Sequence, residues 1–155
     1  MIGRFSSLVR DTAGSVTIEL ALLAPILGTM LIGMVDLSTA FSNKLRLEQI
    51  AQRTIEKVQQ NGFTVGQKLT LETEAETAAG TGSVATLKFW LECDGVRQTG
   101  AAAYTTGCPD ADDVFGRFVQ LAIVKSHTPI IAAKFSQSNT NGTITVRGTA
   151  GIRIQ

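Results

Sequence analysis

Between Leu20 and Val35 the chain carries no charged side chain, and Val16 and Ile18 extend this apolar run toward the amino terminus. As a helix, the stretch is about long enough to cross a hydrocarbon layer of roughly 30 Å. One carboxylate, Glu19, sits inside its start. In lipid an unpaired acid costs on the order of 2–4 kcal/mol, less near an interface. An acid in that position points to a partner or a function. Pro25 removes one backbone donor and crowds the carbonyl of Ala21, which predicts a kink or local melting. Gly28 and Gly33 each lower helix stability by about 1 kcal/mol relative to Ala. Proline and glycine are also simply common in membrane helices.

The helical period continues beyond the apolar run. Leu37, Phe41 and Leu45, then Leu47, Ile50, Thr54 and Val58, recur at spacings of three and four, with Ala51 and Ile55 beside them. Lys44 and Glu48 are placed to pair across one turn. Gly62, after Asn61, is a stop signal. The pattern predicts one long helix over 15–61. Residues 15–36 are apolar all round and read as membrane-spanning, and 37–60 are amphipathic.

Residues 62–155 read as a β-rich head. Leu69, Leu71, Thr73 and Ala75 alternate with polar residues, which suggests an edge strand. Ala78–Ser83 reads as a small-residue linker. Ala85, Leu87, Phe89, Leu91 and Cys93 form one parity of a half-buried strand that ends at Asp94-Gly95. Gln98–Asp113, rich in Gly, Thr, Ala and Asp, reads as a loop. A strand follows over about Val114–Thr128, with Val119, Leu121 and Ile123 on one parity, and Pro129 ends it. Ile130–Phe135 suggests a helical turn, Ser136–Asn141 a polar loop, and Asn141-Gly142 a turn. The last strand alternates Ile144, Val146, Ala150, Ile152 and Ile154 with Thr and Arg, and its Gly148 and Gly151 permit a bulge or close packing. The expected fold is α+β: a long N-terminal transmembrane or spine helix packed on a small C-terminal antiparallel sheet, which needs that helix as its cover.

Composition narrows the function. The 155 residues carry 14 basic and 13 acidic side chains. Without residues 1–14, which hold Arg4, Arg10 and Asp11, both counts become 12. A nucleic-acid binder would usually show a basic excess, so none is expected as a partner. Two Cys and one His are too few for a tetrahedral zinc site on one chain. No phosphate loop, catalytic carboxylate pair or nucleophile triad is visible, so neither a catalytic residue, a cofactor nor an enzyme activity is expected. His127 reads as a strand-end residue, and Asp110, Asp112 and Asp113 as a solvated turn rather than a calcium loop.

The segment Gly14-Ser15-Val16-Thr17-Ile18-Glu19, after a short leader bearing Arg4 and Arg10, resembles the start of type IV prepilins. In that group a basic leader ends in Gly, prepilin peptidase cuts after it, and the fifth residue beyond the cut is Glu. Here the cut would separate Gly14 from Ser15 and the fifth residue is Glu19. Many type IVa pilins have an N-methylated Phe where this chain has Ser15. The longer string Glu19-Leu20-Ala21-Leu22-Leu23-Ala24-Pro25, with Gly33 and Asp36, resembles the TadE-like family, minor pilins or pseudopilins of the tight-adherence (Flp, type IVb) pilus. The resemblance covers residues 10–41 well and the carboxyl end weakly. It implies a leader at 1–14, a pilin-like fold, insertion in the bacterial inner membrane with an extracytoplasmic head, and pilin subunits as partners through the helix. It also implies that Glu19 pairs with the new α-amino group of a neighbouring subunit. With the head outside the cytoplasm, Cys93 and Cys108 can pair, closing a loop of about 15 residues; the alternative is two independent buried thiols. A different overall reading is a secretory signal cut after Ser38-Thr39-Ala40, which would release a soluble binding protein starting near Phe41.

Overall fold

The computed structural model describes residues 13–110, 112–130 and 142–154; the side chains of 13–16 are not among them. The helical turn expected at Ile130–Phe135, the loop at Ser136–Asn141 and the leader's Arg4 and Arg10 fall outside the described residues. The fold is α+β. Helix α1 runs Ala13–Asn61, α2 Lys68–Ala79, strand β1 Ser83–Cys93, β2 Val96–Gln98, helix α3 Ala101–Thr106, β3 Phe115–His127 and β4 Ile144–Arg153. The chain divides into two compact units, Met1–Ser38 and Thr39–Gln155.

In the second unit the strands form one antiparallel sheet in the order β2-β1-β3-β4. Its inner parity supplies Ala85 and Leu87 of β1, Val119, Leu121 and Ile123 of β3 and Val146 of β4. Against these pack Leu47, Ile50, Ala51, Ile55 and Val58 of α1, so the amphipathic stripe covers the sheet as expected. The cover begins at Leu47, whereas Phe41 and Leu45 stay exposed. Lys44 and Glu48 close their pair across one turn at 3.7 Å. The closest approach is at Gly148. A Cβ there would lie 2.5 Å from the Glu48 amide nitrogen and 2.7 Å from Leu47 Cβ, so only glycine lets β4 touch the helix backbone. Phe63, Phe89 and Tyr104 close one end of the core, with ring centroids 5.1–5.6 Å apart.

Two readings of the sequence are corrected. The segment proposed as an edge strand at Leu69–Ala75 is part of helix α2. Its residues alternate at period two, but Leu71, Ala75 and Ala79 also recur at four and form the face that packs on the core. The segment Gln98–Asp113 is not loop throughout. Gln98 closes β2, and Ala101–Thr106 forms α3 between Gly100 and Gly107, which buries Tyr104. The turn at Asp94-Gly95 is as expected: both residues have positive φ (47° and 79°), the two-residue geometry that suits a tight hairpin.

Helix α2 also solves an edge problem. β2 pairs only with Leu91–Cys93, which leaves the first part of β1 without a strand neighbour on that side. Two α2 carboxylates, one turn apart, take the place of strand carbonyls. Glu72 Oε1 accepts the amide N–H of Leu87 at 2.7 Å, and Glu76 Oε1 accepts that of Ala85 at 2.9 Å. A helix spacing of four residues rises about 6 Å, close to the two-residue repeat of a strand. Two of the donors that would invite edge-to-edge pairing are thus consumed within the chain.

Candidate functional site: the amino-terminal apolar helix

Within the first unit, α1 presents apolar side chains on every side. Ile18, Leu22 and Leu31 are about two-thirds exposed, and Leu20, Leu23, Ile26, Leu27, Met30, Met34 and Val35 are exposed as well. Apart from the helix's own adjoining residues, nothing among the described residues stands within 4 Å of where a Cβ would lie at Gly28 or Gly33. The helix is long and apolar enough to cross a membrane by length and composition. Apolar surface exposed all round a helix has no stable place in water; it calls for lipid or other helices.

The residues singled out from sequence are distributed along this helix. Gly14 and Ser15 lie in its first turn, with α1 starting at Ala13, so the Gly14–Ser15 bond sits at the helix entrance. Glu19 follows one turn later and is exposed. α1 continues unbroken through Pro25, so the local melting expected there is absent. The missing donor at Pro25 still removes the hydrogen bond to the Ala21 carbonyl. One turn beyond, the Thr29 hydroxyl donates to the Ile26 carbonyl at 2.8 Å. Such local bonding lets a polar side chain sit in an apolar helix without an outside partner.

The cysteines are elsewhere, in the second unit, where they form the disulfide Cys93–Cys108 across 15 residues. It ties the end of β1 to the segment after α3. Beside it Asp94 Oδ1 accepts the Val114 amide N–H at 3.0 Å, and the Val114 carbonyl accepts the Asp94 amide N–H at 3.0 Å. Cys93, Cys108 and Asp113 bring potential ligand atoms within 4.8 Å of one another, but the two sulfurs are spent on each other and offer no thiolates to a metal. The Asp113 carboxyl is held above the usual carboxylate range by desolvation and by the Asp94 and Asp110 carboxylates beside it. His127 stands at the end of β3 with Nε2 3.5 Å from the Thr39 hydroxyl. Burial raises the Tyr104 phenol, against an opposing pull from Arg117.

Sequence reasoning missed two sets of polar residues: the edge-capping Glu72 and Glu76, and an arginine–aromatic row on the outer sheet face. Glutamates four apart beside a strand with no second neighbour were the available signal for the first. For the second it was the placing of Trp90 and Phe118 on the parity opposite the core.

Residues 14–55 match the model of a family described as TadE-like protein. No curated protein and no solved structure matches the chain. The matched segment contains Glu19, Pro25 and the whole apolar run, and it ends among the core positions of α1. Over residues 14–55, about a quarter of its length, the chain is similar to the TadE-like family.

Proposed function

We propose that the chain is a minor pilin or pseudopilin that takes part in assembling a type IVb (Tad/Flp) pilus for adherence. Residues 1–14 are its leader, 15–61 its spine, and 62–155 its head. The leader and the positive charges of Arg4 and Arg10 stay on the cytoplasmic side, by the tendency of basic residues to remain there. The apolar half of α1 holds the subunit in the inner membrane with the head in the periplasm. Prepilin peptidase cuts between Gly14 and Ser15. The spine then leaves the bilayer and packs beside other pilin subunits, carrying the head to the pilus or the cell surface. The observation that carries this reading is the α1 segment whose apolar side chains are exposed in every direction.

The cut has an electrostatic consequence. It places a cationic α-amino group at a helix amino terminus, where the unpaired N–H groups already concentrate positive charge. In an apolar surrounding that end needs an anion. Glu19 of a neighbouring subunit supplies one, and the pair fixes the register between subunits. Both charges must give up hydration, so the contact is worth far less than its bare Coulomb energy.

The test is the mature amino terminus, determined by mass spectrometry from the native cell with and without its prepilin peptidase. A chain starting at Ser15 only when the peptidase is present supports the reading. Retention of residues 1–14 in the assembled pilus overturns it. Glu19→Ala should leave cleavage intact and reduce incorporation into pili by at least about tenfold, the equivalent of roughly 1.4 kcal/mol; unchanged incorporation removes Glu19 from the role. A start at Phe41 would favour the secreted binding protein instead. Against that alternative, Ser38-Thr39-Ala40 lies in the middle of α1, and the compact unit of the head already includes Thr39 and Ala40.

A further inference from the structure

The sheet face turned away from α1 is basic. Its outward parity carries Lys88, Arg97, Arg147 and Arg153. Its one carboxylate is that of Glu92, which already accepts the Trp90 indole N–H at 2.9 Å. Across the four strands Arg97, Trp90, Phe118 and Arg153 form a stack. The Arg97 guanidinium lies 4.0 Å from the Trp90 ring centre, Trp90 and Phe118 are stacked at 5.4 Å with planes 7° apart, and the Arg153 guanidinium is 5.9 Å from Phe118. Each ring has a ring on one side and a guanidinium on the other. The row therefore offers little open aromatic surface on which a base or sugar could stack. What it presents outward is positive charge on side chains held by their stacking.

The balancing negative charge is also concentrated. Asp94, at the β1–β2 turn, and Asp110, Asp112 and Asp113, before β3, form an acidic corner that no salt bridge among the described residues reaches. The hydrogen bonds between Asp94 and Val114 hold the turn and the loop together. One chain of nearly balanced charge thus displays a basic sheet face and an acidic corner.

We propose that the basic outer face of the sheet docks the Asp110–Asp113 corner of a second copy of this chain, head to tail. A contact between two different patches does not close on itself; repeated, it builds a row of heads. The inference rests on the pilus reading for its setting, but the contact belongs to the head and needs neither cleavage nor Glu19.

The experiment uses the full chain held in lipid nanodiscs, one copy per disc, so that only heads can meet. Disc association is followed by sedimentation. The wild type should associate, and raising the salt from about 50 to 500 mM should weaken this several-fold, as for exposed charges. Arg97→Glu with Arg147→Glu reverses the face; Asp110→Lys with Asp112→Lys reverses the corner. Each variant alone should lose association at least about tenfold. Mixing the two should restore it, because the acidic face of one then meets the basic corner of the other. Restoration also proves that both variants are folded. Failure of the wild type to associate, indifference to either reversal, or no rescue on mixing overturns the proposal. So does a result in which reversal of the face abolishes binding to heparin or to anionic vesicles but leaves disc association unchanged. If discs associate as expected while residues 1–14 persist in the native pilus, the pilus reading fails and this contact stands.

Discussion

Leu27 and Leu47 are the same residue on the same helix, yet the first is 54% exposed and the second 1%. The amino-terminal half of α1 is apolar on all sides and finds no partner within its own unit. The carboxyl-terminal half is apolar on one stripe and buries it against the sheet. Hydrophobicity alone does not separate the two. What separates them is the distribution of polar residues: Lys44, Arg46, Glu48, Arg53, Glu56 and Lys57 confine the second half to one buried face, and nothing confines the first. The second half has its partner in the same chain, and the first must look outside it.

The sharpest way to break this contrast is to shorten matching leucines. Leu47→Ala should destabilise the head by about 2–5 kcal/mol, the usual range for a fully buried leucine. Leu27→Ala should leave head stability within about 0.5 kcal/mol, as for a side chain outside the core. Urea unfolding of the full chain in detergent, read through Trp90 fluorescence, measures both. Equal effects would mean that the two halves are not distinct environments.

The head's own staple comes next. Cys93→Ser with Cys108→Ser should cost the head about 3 kcal/mol in the chain-entropy account of a 15-residue loop, while the helical signal of the apolar half of α1 stays unchanged by circular dichroism. A smaller effect belongs to the covered edge. Glu72→Ala leaves the Leu87 amide without its acceptor and should cost about 1–3 kcal/mol. Glu72→Gln, which keeps a carbonyl oxygen, should recover most of this. If the two variants are equally destabilised, the hydrogen bond is not what Glu72 contributes.

The smallest effect lies at the acidic corner. The folded state holds the Asp113 carboxyl above its ordinary range, by desolvation first and then by Asp94 and Asp110. A carboxyl raised in this way binds its proton more readily folded than unfolded. Its contribution is therefore most favourable below its unfolded value and is lost as pH rises through the folded one. Asp113→Asn should slightly raise the melting temperature at neutral pH and flatten its dependence in the mildly acidic range. An unchanged pH profile would show that the crowding is relieved by solvent.

Much of this division could be read from the sequence. The uncharged run from Leu20 to Val35 and the three- and four-residue spacing after Leu47 mark the two halves of α1 because nothing else competes for those patterns. β1, β3 and β4 were legible because each buries one parity. α2 was not, since Leu69–Ala75 satisfies period two as well as period four, and only its partner strand decides between them. α3 was hidden by its small residues, although Gly100 and Gly107, with φ of 113° and 95°, bracket it. The outer arginine row depends on cross-strand register, which no single strand reveals. Of the candidate site, the apolar surface was evident from composition. The unbroken path of the helix through Pro25 was not, because proline's local cost is only about 3 kcal/mol and the rest of a long helix can outweigh it.

At Gly148 the strand meets the helix backbone directly, at Leu47 and Glu48. Rotamer changes cannot widen or narrow such a joint, because there is no rotamer on the strand's side to change. The sheet consequently has a single seating on the Thr39–Asn61 portion of its helix, and a turn of that portion about its axis would carry the whole face of arginines round with it.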